Sequence, residues 1–166
     1  MDSQAIDNFI VQQGYEGTSG NSNDKLFRAL SFQPRVMVPL AVLGVILQSG
    51  PYFAALSAIL WWCVAVPKWN PFNAIHNALL APRGAPRLDG ATAPRRFSMG
   101  MAASFTLAIS VSLTAGWTAA AVVLQVLLLA AMSAVVFGKL CLGSYIYHLL
   151  TGRAALANCT LPWSRG

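Results

Sequence analysis

The sequence predicts an all-α integral membrane fold, four transmembrane helices arranged as two hairpins, and three observations predict it. Of 166 residues, 56% are hydrophobic and only 10% are charged, whereas a soluble domain carries about a quarter charged residues. The apolar residues come in blocks: Val36 to Ser49, Tyr52 to Val66, Phe97 to Ala115 and Trp117 to Phe137 contain no Asp, Glu, Lys, Arg or His. Blocks of this kind are the signature of membrane spans. Third, the corners between paired blocks, at 48–52 and 114–117, hold none of the eleven Lys and Arg residues.

Residues 1–24 read as an acidic cytoplasmic arm. Asp2, Asp7, Glu16 and Asp24 are four of the five acids in the chain. Ser3 is placed to cap a short helix with Ile6, Phe9, Ile10 and Gln13 along one side. "GTSGNSND" at 17–24 reads as a linker. The first 24 residues hold no Lys or Arg and no long apolar core, so no cleavable signal peptide is expected and the first span directs insertion. The arm is expected to dock on a basic surface, either the loop at 83–96 or a partner.

Residues 25–150 form the transmembrane domain. Spans are expected at about 35–49, 51–67, 97–115 and 117–138, with a basic cytoplasmic loop at 68–96 and a cytoplasmic tail at 151–166. Ser49, Gly50 and Pro51 break the first pair. Each of these two runs is short, about 21–24 Å at 1.5 Å per residue, against a hydrocarbon core of about 30 Å. A crossing hairpin is favoured over a re-entrant one, because irregular backbone exposed to lipid at mid-depth is not tolerated. "SGPYFAAL" and "TAGWTAAA" are matching corners, so the two halves resemble a parallel duplication of one hairpin.

Charge sets the orientation. Lys25, Arg28 and Arg35 precede the first span; Lys68, Arg83, Arg87, Arg95 and Arg96 separate the second and third; Lys139, Arg153 and Arg165 follow the fourth. The positive-inside rule puts these segments, and both termini, on the cytoplasmic side of a bacterial inner membrane.

The segment "NPFNAIHNALLAPRGAPRLDGATAPRRF" at 70–97 begins with NPF, continues through an amphipathic stretch and ends a Pro-rich basic loop in RRF. With "CLGSYIY" at 141–147, it resembles the bacterial membrane family called domain of unknown function 4395, across roughly residues 26–150. The resemblance implies a small four-helical membrane fold and brings no activity with it. It also implies a motif of the form C-x-G-C-x-x-Y after the last span. Here Ser144 stands where that motif has its second Cys. A C-x-x-C pair lets one thiolate attack and the other resolve; Cys141 has no such neighbour.

Cys141 is the candidate thiol, with Cys63, Cys159 or another protein as its resolving partner. Against it, a continuation of the fourth helix puts Cys141 near a helix C-terminus, where negative charge is disfavoured, and free Cys is usually a small buried hydrophobe. The three cysteines are too few and too near the cytoplasmic side for a disulfide framework. His76 and His148 are weak candidates for ligating a haem or chlorophyll-type pigment; no metal site and no cofactor is otherwise predicted. Gly100, Ser104, Ala108 and Ser112 repeat every four residues in the third span, and Ala130, Ala134 and Gly138 in the fourth. Small residues so spaced let helices approach closely, within the bundle or against a partner helix. Arg83, Arg87, Arg95 and Arg96 form a basic loop suited to anionic lipid or a partner. Nucleic acid is not an expected partner, since no recognition fold or interleaved aromatics accompany the charge.

Gln125 is the large polar residue inside the fourth span and is expected to bond a neighbouring helix. No Asp, Glu, Lys, Arg or His lies inside the four blocks, which argues against a pump or secondary transporter. The sequence therefore favours a non-catalytic accessory subunit packed against a larger membrane complex. A thiol-redox protein acting through Cys141 and a haem or pigment binder using His76 or His148 are the alternatives.

Overall fold

A computed structural model describes residues 3–15 and 21–161. Asp2, Glu16, Arg165 and residues 17–20 of the expected linker lie outside the described residues. Among those described there are nine α-helices and no strand: α1 (Ser3–Gln12), α2 (Asn21–Leu30), α3 (Phe32–Leu47), α4 (Gly50–Ala65), α5 (Pro71–Leu79), α6 (Ala93–Thr114), α7 (Thr118–Val136), α8 (Leu142–Leu150) and α9 (Ala154–Cys159).

Three segments are long and apolar enough to cross a membrane: Ser22–Leu47, which joins α2 to α3, then α6 and α7. The fourth apolar helix, α4, has 16 residues, about 24 Å of rise. Helix α6 is the hub. It packs most extensively on α4 and also carries α7 and α8, while α3 lies against α7 and α5. Met37, Ala41, Phe53, Leu56, Leu60, Met99, Ala103, Ile109 and Leu128 form the main core.

The two corners are built by local chemistry. At the first, Gln48 adopts φ 46° and Ser49 Oγ accepts the Tyr52 N–H at 3.3 Å, capping α4 ahead of Pro51. At the second, Gly116 takes φ 75°. The Trp117 N–H returns to the Ser112 carbonyl at 2.8 Å and the Gly116 N–H to Leu113 at 3.3 Å, the paired bonds of a Schellman ending. The corners are neighbours: Ser110 Oγ donates to the Gly50 carbonyl at 2.8 Å. A Cβ on Gly50 would stand 2.6 Å from Thr114 Cγ2.

Several expectations are corrected. Asn21–Asp24, read as linker, are the first turn of α2. Helix α6 starts at Ala93, so Arg95 and Arg96 lie in its first turn rather than in a loop. The chain beyond α7 does not continue that helix. Gly138 and Lys139 turn it, Lys139 at φ 53°, with the Leu140 N–H folded back on the Ala134 carbonyl at 3.0 Å. Helix α8 then starts afresh with Cys141 as its N-terminal cap.

The N-terminal arm carries the expected helix, and that helix is not solvated. Ile6, Phe9 and Ile10 are buried in a second core with Phe27, Leu30, Leu88 and Cys141; Phe9 meets Phe27 edge to face at 5.2 Å. The arm touches the 83–96 loop through neutral groups. Thr92 Oγ1 donates to the Gln13 carbonyl, and Pro94 packs beside Gly14.

Candidate functional site

Two polar clusters flank one largely apolar cavity of about 340 Å³, and α6 supplies a side chain to each. The first cluster begins at α5. Asn70 caps that helix, its Oδ1 accepting the N–H of Phe72 at 2.9 Å and of Asn73 at 3.4 Å. Asn73 and Asn77 follow at spacings of three and four, on the same face. Asn77 makes two bonds with Leu88: its Nδ2 donates to the carbonyl at 3.1 Å and its Oδ1 accepts the N–H at 2.9 Å. Asn73 Nδ2 donates to the Gly90 carbonyl at 3.0 Å. Together they fold the Pro-rich loop onto α5. Asn73 Oδ1 is then left to accept from Arg95 Nη2 at 3.2 Å.

Arg95 is only 5% exposed, and its Nη1 is buried without a hydrogen-bond partner. Neither an ion pair nor a carboxylate meets it among the described residues. A guanidinium is a permanent cation, and burying one without its counter-charge costs several kcal/mol. Gln33 also lines the cavity, with Asn70 Nδ2 donating to its Oε1 at a long 3.5 Å.

The second cluster sits where α1 and α8 meet α6. Cys141 Sγ donates to Ser98 Oγ at 3.3 Å. Ser98 Oγ lies 3.0 Å from Ser144 Oγ, which also accepts from Gln13 Nε2 at 3.1 Å. The Cys141 N–H, free at the helix start, donates to Gln12 Oε1 at 2.9 Å. His148 Nε2 is 3.0 Å from the Gln12 carbonyl. A carbonyl only accepts, so Nε2 carries a proton. Nδ1 and Gln12 Nε2 are both buried without partners. The approach of α8 to α6 depends on Gly143, where a Cβ would lie 2.7 Å from Ser98 Cα.

The structure thus joins Cys141, Ser144 and His148 around α1 and adds Ser98, Gln12 and Gln13 to them. Cys141 lies at the end of a helix that favours negative charge, not the end that opposes it. His76 is elsewhere, buried edge to face on Phe32 at 5.4 Å with Nδ1 3.4 Å from Asn77 Oδ1. No group of three His, Cys, Asp or Glu able to hold a metal occurs among the described residues.

The four arginines separate. Arg83 and Arg87 are exposed, Arg83 Nη1 donating to the Leu79 carbonyl. Arg96 is exposed and donates twice to the Val64 carbonyl, at 3.2 and 2.9 Å. Arg95 is no part of a lipid-facing loop. The small-residue series separates too. Ser112 is buried; Gly100, Ala108 and Ala134 are half-buried; Ser104, Ala130 and Gly138 are exposed. The buried small groups of α6 are Ala103, Thr106, Ser110 and Ser112. Gln125 is buried and bonds Gln48, whose Nε2 donates to its Oε1 at 3.1 Å.

An all-helical protein with three helices able to span a bilayer, built around a largely apolar cavity lined in part by a buried arginine, is the class that fold and site define. The chain belongs to the family described as Domain of unknown function (DUF4395), whose model matches residues 28–151. Neither the characterised proteins nor the solved structures provide a match.

Proposed function

We propose that this chain is a non-catalytic accessory subunit of a bacterial inner-membrane complex, crossing four times with both termini in the cytoplasm. The observation that carries this reading is the outer face of α6. Gly100 and Ser104 lie in a shallow groove with Trp61, Val64, Phe97, Met101 and Tyr147, away from the buried Ala103 and Thr106. Lipid tails gain nothing from small side chains, whereas an approaching helix does. The adjacency of the two Lys- and Arg-free corners supports the orientation, since it collects all the described basic residues away from one end of the bundle.

Purification in mild detergent, followed by mass spectrometry of accompanying proteins, tests the reading. Ser104→Leu should remove a specific membrane partner and leave thermal stability unchanged. A preparation with no stoichiometric partner, or one whose partner survives the substitution, refutes it. Reporter fusions at Gly50 and Gly166 test the orientation, and an exported C-terminus overturns it.

A second reading, a thiol-redox role for Cys141, is favoured by one observation: Cys141 is the N-cap residue of α8, the helix end that favours negative charge. It requires alkylation of Cys141 in the native protein to outpace that of exposed Cys159. It also requires Cys141→Ser to abolish the cellular phenotype.

A further inference from the structure

We propose that the cavity between α3, α6, α7 and α8 is a binding site for a single-chain anionic amphiphile, with Arg95 holding the head group. Three features of the site converge on that chemistry. Its walls are mostly apolar, including Met37, Met99, Phe105, Leu128 and Met132, and Arg95 is the one charged residue among its lining. Arg95 has one nitrogen engaged by Asn73 and another, Nη1, buried with nothing to bond. The volume of about 340 Å³ is at the lower end of small-molecule sites, about 300–1,000 Å³, and suits one acyl chain rather than a two-chain lipid.

Charge selects the head group. An unpaired buried cation destabilises its surroundings until an anion arrives, and an arginine bonds a carboxylate or phosphate oxygen strongly. Ser98 lies three residues after Arg95, on the same side of α6, but its one proton already goes to the Pro94 carbonyl at 2.9 Å, so the guanidinium is the group left to hold the head. A neutral head of equal length leaves Nη1 unsatisfied and gains only the apolar contacts. The site therefore discriminates by head-group charge more than by chain.

The test uses the full chain in nanodiscs of zwitterionic phosphatidylcholine, with cis-parinaric acid as fluorescent probe. Competitors are palmitate, a lysophosphatidate of equal chain length, and hexadecanol. Displacement by palmitate or lysophosphatidate at least ten-fold tighter than by hexadecanol is expected, and the tighter of the two identifies carboxylate or phosphate as the head group. Arg95→Gln should abolish that preference and leave hexadecanol displacement unchanged. Equal displacement by all three, or an unaltered preference in Arg95→Gln, overturns the proposal. Should Arg95→Gln not fold, Ala131→Phe fills the apolar body from a half-buried cavity wall. That variant should lose binding of all three competitors, and unchanged palmitate binding in it overturns the proposal equally.

Discussion

Gly143→Ala gives a prediction whose sign is informative. Gly143 is the second residue of α8, where alanine is the better helix former by about 1 kcal/mol. With open space around it, the substitution would stabilise the protein. The space is not open. The added Cβ would meet Ser98 Cα at 2.7 Å, Oγ at 2.7 Å and Cβ at 2.8 Å. Ordinary contact begins at 3.4 Å, so the shortfall is about 0.7 Å. One of the struck atoms is backbone of α6, which cannot rotate aside.

Overpacking of this kind costs about 1–3 kcal/mol, and the backbone contact places Gly143 at the upper end. Subtracting the helix-propensity gain leaves a loss of about 2 kcal/mol, or about 4–8 °C in the unfolding midpoint of a chain this size. The control is Gly100→Ala in the middle of α6, where the nearest atom, Val64 Cγ2, would be 3.9 Å away. There the midpoint should rise, by about 1–4 °C. Both midpoints are read by thermal unfolding in one detergent. A second readout is maleimide labelling of Cys141, which is buried and becomes reachable when α8 moves off α6. A Gly143→Ala protein as stable as wild type, with Cys141 no more reactive, would refute the close approach of α8 to α6.

The same measurement checks three further expectations. Ala103→Leu introduces bulk at a fully buried position whose carbonyl accepts from Ser57 Oγ at 2.8 Å, and should lose about 1–3 kcal/mol, whereas Ser104→Leu, one residue along, should lose almost nothing. Gln125→Leu removes the bond to Gln48 but leaves Gln48 at an exposed corner where water replaces it, so the loss should stay below about 1 kcal/mol. Asn73→Ala unpairs both the Gly90 carbonyl and Arg95 Nη2, and should cost at least the about 1–3 kcal/mol of a buried polar group left without its partner.

Much of the fold was legible because membrane spans announce themselves through composition. The apolar blocks marked α3, α4, α6 and α7 to within a few residues, and "QSGPY" and "TAGW" marked their corners through turn chemistry that acts locally. Gln125 was legible for the same reason: a lone amide in an apolar helix must find a partner. The beginning of α6 was not. Arg95 and Arg96 look alike in sequence, and only the packing of α5 decides that one is buried against Asn73 while the other reaches Val64. A signal did exist, in the three-and-four spacing of Asn70, Asn73 and Asn77, which marks a polar helix face with work to do. The small-residue series left its direction open, because a four-residue repeat in α6 fits Gly100–Ser104–Ala108 as readily as it fits Thr106–Ser110. Periodicity identifies a face; it does not say whether the face turns inward.

The surroundings of Cys141 at the start of α8 show what a serine at 144 does there. Ser144 is fully buried and stands between Gln13 and Ser98, accepting an amide proton from one while sharing a hydroxyl bond with the other. A hydroxyl does this well because it both donates and accepts; a thiol is larger and weak in both roles. A cysteine at 144 would thus exchange a satisfied buried network for a second sulfur beside the first. The N-terminal helix is what makes the serine fit, since Gln13 reaches Ser144 and Gln12 bonds the N–H of Cys141. The family match begins at residue 28, so Gln12, the last residue of α1, and Gln13, just after it, lie outside the matched region. Ser144, Gln12 and Gln13 are therefore parts of one hydrogen-bonded arrangement, in which the end of the N-terminal arm covers the start of α8.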